Sequence, residues 1–159
     1  LRHISASPWT LRRVLPRESM ERIEAEIGRS ENTHRGELRF AGEVDLGAMQ
    51  ILRGVTARDR AVDLFSALRI WDTEDNTGVL IYLLLADRTL EIVADRGLSS
   101  RVSQEVWDGI AGRMQEKFAK KDFEGGLLTG IQEITKLLSK HFPAASGNEN
   151  ELSNKPVVL

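Results

Sequence analysis

Three acidic side chains crowd the stretch "WDTEDNTG", namely Asp72, Glu74 and Asp75, and a fourth, Asp95, lies beyond the apolar run that begins at Val79. Carboxylates beside a core cost free energy unless a cation, an arginine, a bound proton or water compensates them. A hard divalent cation such as Ca2+ or Mg2+, held by oxygens from two loops, is the chemistry that Asp72, Asp75 and Asp95 could supply together. Asp72, Glu74 and Asn76 are spaced like the opening of an EF-hand loop. Gly78 comes one place too late for that motif, however, and its twelfth position would be Leu83 inside a strand, so an EF-hand is excluded. The same residues also suit a structural role, with Asp75 and Asn76 making a turn, Asp95 pairing with Arg96 or capping the next turn, and water solvating the rest.

Other chemistry-bearing residues offer less. Glu31, His34 and Glu37 form an "ExxHxxE" pattern that could ligate a metal, yet a helix end passes through it and breaks the common face, leaving His34 to face the last helical carbonyls. His3 and His141 lie in the leader and in the last helical turn, so no Ser, His and Asp relay assembles from position. Neither "GELRFAG" nor "GGLLTG" is a dinucleotide fingerprint and there is no Walker sequence, so no nucleotide cofactor is indicated. Trp107 and Phe118 read as core.

The elements that must position these residues follow from periodicity. Pro16 suits a first helical turn, and Met20, Ile23 and Ile27 mark a helix over 17–31, ended at Gly36 in a left-handed conformation. "ELRFAGEV" alternates as a strand over 37–44. Thr56 and Asp59 have capping-box spacing for a helix over 57–70 with Val62, Phe65 and Leu68 on its buried side. The strand over 78–85 is apolar on both faces, as a central strand covered on each side would be. A two-residue turn at Asp87 and Arg88 returns the chain as a strand over 89–94. In that register Gly78 faces Gly97, which brings loops 72–77 and 95–99 to one edge of the sheet. Two helices close the pattern. One, over 103–120, carries Trp107, Ile110, Met114 and Phe118, and the other, capped by Asp122, carries Leu127, Ile131, Ile134 and Leu138. The order α-β-α-β-β-α-α predicts an α/β fold, a three-layer α/β/α sandwich with a small mixed sheet. Residues 1–16 read as a basic leader, 17–143 as the domain and 144–159 as a mobile tail.

Composition narrows the function classes. With 22 Lys plus Arg against 24 Asp plus Glu, the formal charge is -2, which offers no global field for nucleic acid. The absence of cysteine excludes disulfides and thiolate chemistry and fits the cytoplasm. No apolar run approaches the length of a membrane span, and the leader lacks the apolar region of a secretory signal. The oligomeric state is not legible.

"NTGVLIYLLLADRTLEIVADRGL", followed by a tryptophan-bearing helix and "FAKKDFEGGLLTGIQEITKLL", resembles the TPM-domain family, in its small soluble bacterial branch without membrane anchors. The resemblance runs from about Glu18 to Pro143. It implies a Rossmann-like sandwich, divalent-cation binding in some members and a proposed phosphatase activity in others, neither role being general. Asp95 and Gly97 match the family's aspartate and glycine after the third strand, and Asp122, Phe123 and Gly126 match its later motif. Where the family usually has Asn-Gly entering the central strand, Thr77 precedes Gly78 and Asn76 stands one step earlier.

Three functions are therefore open: a cytoplasmic divalent-cation-binding module or accessory protein with a protein partner, a metal-assisted phosphoric-monoester hydrolase in which Arg96 holds the substrate, and a purely structural domain with solvated acidic loops.

Overall fold

A computed structural model describes residues 8–145 and 150–159 of the chain. In chain order the elements are α1 (Pro8–Val14), α2 (Arg17–Ser30), β1 (Glu37–Glu43), α3 (Ala48–Leu52), α4 (Ala57–Ala67), β2 (Gly78–Leu84), β3 (Thr89–Ala94), α5 (Arg96–Ser99), α6 (Gln104–Ala119), α7 (Phe123–His141) and β4 (Val157–Val158). Local chemistry sets several of these boundaries. Thr56 Oγ1 accepts from the Asp59 N–H while Asp59 takes the Thr56 N–H in return, which satisfies the free donors at the start of α4. Asp122 does the same for α7 by accepting from the Gly125 N–H at 3.0 Å.

The strands form one sheet in the order β3-β2-β1-β4, mixed because β1 runs parallel to β2 and β4 while β3 runs antiparallel to β2. Every residue of β2 is buried, since its side chains alternate between two apolar layers. Val79, Ile81 and Leu83 join Leu38 and Phe40 beneath α1, α2, α6 and α7. Leu80, Tyr82 and Leu84 face the other way, onto Ala61, Leu64 and Phe65 of α4. Helices thus cover both faces of a small sheet.

Several expectations are corrected. The hairpin pairs Val79 with Ala94 and Leu84 with Thr89, so its loop has four residues, 85–88, and Gly78 faces Asp95 rather than Gly97. The favoured two-residue hairpin turns need a positive φ at both central residues or at the first, and of Asp87 and Arg88 only the second, Arg88, has one. The Arg88 N–H instead closes back on the Leu85 carbonyl at 3.0 Å, while Leu85 and Ala86 keep bonding to the β1 side. A slip of two residues leaves every side chain on its expected face, which is why the alternation was still legible. The buried side of α4 is Ala61, Leu64 and Phe65, with Val62 exposed. Gly36 does not take the left-handed conformation; among the described residues Gly54 is the one glycine that does.

The ends of the chain also depart from the plain seven-element order. Residues 1–7 of the expected leader and 146–149 of the expected tail lie outside the described residues. The rest of the leader forms α1, with Leu11 and Leu15 fully buried in the first apolar layer. Residues 150–159 are not a free tail: Val157 and Val158 pair with Ala41 and Gly42, and Leu152 and Val157 pack on the second layer. Apolar burial and the free edge of β1 hold them, a contribution too short to show as a period in sequence. Among the described residues no helix is long and apolar enough to cross a membrane.

Candidate functional site

The loop before β2 and the segment after β3 meet at one edge of the sheet, as the hairpin requires. The Asp95 N–H donates to the Gly78 carbonyl at 2.9 Å, and the Gly97 N–H donates to the Asn76 carbonyl at 3.0 Å. Two glycines make this closeness feasible. A β-carbon on Gly97 would lie 2.4 Å from the Asp75 carbonyl oxygen and 2.5 Å from that of Asn76, and one on Gly78 would lie 2.1 Å from the Ile70 carbonyl oxygen. Asn76 itself turns the loop with φ of 53°, a conformation asparagine tolerates better than most residues.

The carboxylates at this edge are not one cluster. Asp72 is drawn to Arg69 at 2.7 Å on the exposed surface. Asp75 pairs with Arg35 at 3.0 Å, both side chains being 38% exposed. Asp95 caps α5, its Oδ1 accepting the Arg96 N–H at 2.7 Å, while its Oδ2 is buried with no hydrogen-bond partner among the described residues. Glu74 bonds through its backbone N–H to Glu151 of the C-terminal segment. Arg96 is exposed at the start of α5. Among the described residues no three His, Asp or Glu side chains gather into a set that could hold a metal ion. Backbone oxygens form a separate group: the carbonyls of Asp75 and Asn76 both turn toward Gly97, whose N–H the Asn76 carbonyl accepts.

Close by, the fold joins two carboxyls that sequence spacing left apart. Glu37, at the start of β1, is 3% exposed and accepts the backbone N–H groups of Glu151 at 2.9 Å and Leu152 at 3.3 Å. Its pKa is pushed up by burial, against those two hydrogen bonds. Glu31, past the end of α2, is pushed up to about 8 by burial and then by the Glu37 charge, with a hydrogen bond from Asn154 pulling the other way. The two therefore hold a proton between them at neutral pH. Only His34 of the "ExxHxxE" pattern turns elsewhere: it is wholly buried, with Nε2 3.4 Å from Ser30 Oγ, and burial lowers its pKa to about 4.

The match of residues 11–137 to the TPM domain model decides the family. This chain belongs to the TPM-domain family. Among solved structures, this TPM domain is similar to the BA42 protein from the psychrophilic bacterium Bizionia argentinensis. That pair shares 30% identity over 91% of this chain and 95% of the other, with a TM-score of 0.81. A second neighbour, the N-terminal domain of a protein from P. gingivalis, shares 18% identity over 81% of this chain and 79% of the other at a TM-score of 0.65, a likeness of fold. No curated protein matches the chain significantly.

Within this TPM domain, the sequence located the edge but not its partners. Arg35, which takes Asp75, stands 40 positions earlier, and Glu151, which reaches Glu74, stands 77 positions later. Neither has a local signal. The Asp72 and Arg69 pair does, at i,i+3 spacing. Glu31 and Glu37 were legible as a pair of acids, but their meeting depends on the bend between α2 and β1.

Proposed function

We propose that this TPM domain is a cytoplasmic divalent-cation-binding accessory module on a Rossmann-like scaffold, with its cation at the edge formed by loops 72–77 and 95–99. The observation that carries this reading is the buried Asp95 Oδ2, without a hydrogen-bond partner among the described residues, on the segment that meets the backbone carbonyls of Asp75 and Asn76 at Gly97. The donors are all oxygens, as Ca2+ and Mg2+ require. Asp75, Asp95 and the carbonyls of Asp75 and Asn76 would hold the ion, and Asp72 would join by leaving Arg69. Half-exposed ion pairs such as Arg35 with Asp75 are worth only about 0–1 kcal/mol, so exchanging an arginine for a cation costs little. The ion would tie the two loops together. The exposed apolar side chains of α3, namely Met49, Ile51 and Leu52, support a partner-binding role, since none of that helix is buried.

The experiment is a Ca2+ and Mg2+ titration through roughly 1 mM, followed by amide shifts of Asn76 and Gly97. Saturable shifts that weaken about tenfold or more in Asp95→Asn are expected. Absent shifts, or shifts unchanged in that variant, overturn the reading. Metal-assisted hydrolysis of phosphate esters would use the same ion with Arg96 on the substrate. It ranks second because Arg96 is exposed, so that a phosphoryl group held by it is not shielded from water.

A further inference from the structure

The opposite end of the sheet carries a concavity of contrary charge. At the carboxyl ends of the parallel strands β1 and β2, Val44, Leu85 and Phe123 floor a cavity of about 530 Å³, and Arg13, Arg88 and Lys121 line it with Thr10. The floor is apolar and nearly closed to solvent: Val44 is 4% exposed, Leu85 8% and Phe123 8%. The cations come from three separate segments, the last turn of α1, the β2–β3 loop and the turn between α6 and α7. Among the described residues no aspartate or glutamate lines the cavity, and none of the three cations has a salt-bridge partner. In a chain of net charge -2, this is a local reversal of sign.

We propose that this cavity binds a phosphomonoester carried on an apolar or aromatic body. Three features converge on that chemistry. The volume falls within the range of small-molecule sites, about 300–1,000 Å³. Carboxyl ends of parallel strands are where open α/β sheets place their ligands. The start of α7 beside Phe123 is already capped by the Asp122 carboxylate, so the positive charge here is that of the three side chains. Arg13 and Arg88 offer forked donors suited to phosphate oxygens, Lys121 a point charge, and Phe123 with Leu85 a surface for the organic part. A solvated basic surface would account for scattered lysines and arginines. It does not account for three cations from distant segments converging over a buried apolar floor. Arg88 and Lys121 both hold left-handed backbones, with φ of 51° and 63°, so the two loops present them from fixed, compact turns.

The test uses phenyl phosphate as probe, with inorganic phosphate and phenol as its two halves, read by amide shifts in the full chain. Saturable shifts at Val44, Arg88 and Lys121 with phenyl phosphate are expected, roughly tenfold weaker with either half alone. The double variant Arg88→Gln with Lys121→Gln removes two exposed charges and leaves the core intact; it should lose that binding, while Arg96→Gln at the other edge should not. A parallel arm with phosphatidic-acid vesicles separates a lipid-borne phosphate from a free one. Co-sedimentation that the double variant abolishes, joined to phenyl phosphate binding, places the group on a lipid; phenyl phosphate binding without co-sedimentation places it on a soluble molecule. No saturable shift with phenyl phosphate, equal shifts with phenol, or shifts unchanged in the double variant overturn the proposal. Because these signals arise at Arg88 and Lys121 and not at Asn76 and Gly97, they fail or succeed independently of the cation site.

Discussion

Gly97 shows how tightly the acidic edge is specified at the level of one residue. Its missing β-carbon lets the carbonyls of Asp75 and Asn76 close over it, and backbone oxygens cannot give way as the tip of a flexible side chain can. Gly97→Ala should therefore displace loop 72–77 and lower stability by about 1–3 kcal/mol, the usual range for overpacking a well-packed site. In a chain of this size each kcal/mol lowers the melting temperature by roughly 2–4 °C, which calorimetry resolves. An unchanged melting temperature would mean that the loop adjusts freely, and a site preorganised by these carbonyls would lose its basis. The glycine and the acidic residues were all visible in the sequence, because spacing and residue type are local properties. Which arginine neutralises Asp75 was not, since Arg35 reaches it across a gap of 40 positions that only the folded sheet closes.

At the level of elements, the C-terminal segment is tied to the start of β1 through a titrating pair. Glu37 accepts two of its backbone N–H groups, and Glu31 shares a proton with Glu37. An acid whose pKa is raised on folding stabilises the native state fully below its unfolded value of 4.5, and that contribution is lost as pH rises through about 8. Buried His34 acts in the opposite sense, because its pKa falls from 6.5 to about 4: its contribution is present above 6.5 and lost as pH falls toward 4. Between those values the two effects oppose each other, but from about pH 6.5 to 8 the histidine is neutral in both states and the carboxyl pair alone changes. Stability should fall by roughly 1 kcal/mol across that interval, a modest figure because Glu31 is only partly buried and solvent screens its charge. Melting curves of the parent and of Glu37→Gln provide the check, and a slope that persists in the variant would assign the loss to other groups. Helical stripes and strand alternation made most of these elements legible, since each is a repeat within a few residues. The four-residue hairpin loop and β4 were not, because the first depends on the φ of Arg88 and the second on an unpaired edge of β1 that only the assembled sheet exposes.

For the molecule as a whole, composition averages out what the fold separates. The balanced totals of acids and bases conceal an acidic edge at the amino ends of β1 and β2 and a basic cavity at their carboxyl ends. Seven residues of strand at about 3.3 Å each set these roughly 20 Å apart, beyond the Debye length of about 8–10 Å, so the two ends act on ligands separately. What joins them mechanically is β2, buried on both faces and hydrogen-bonded to β1 and β3 along its length. Opening β2 requires dismantling both apolar layers, whereas β4 is a two-residue edge strand held by Ala41, Gly42 and the Glu37 contacts. Native-state hydrogen exchange should therefore find the amides of Leu80–Leu84 exchanging through global unfolding, at the full stability of about 5–15 kcal/mol. The Leu159 amide, bonded to the Gly42 carbonyl at 2.9 Å, should exchange through a local opening several kcal/mol lower, and should do so more readily as Glu31 and Glu37 ionise. Equal protection at the two positions would show instead that the C-terminal segment belongs to the same cooperative unit as the central strand, so that its release could not occur without unfolding the domain.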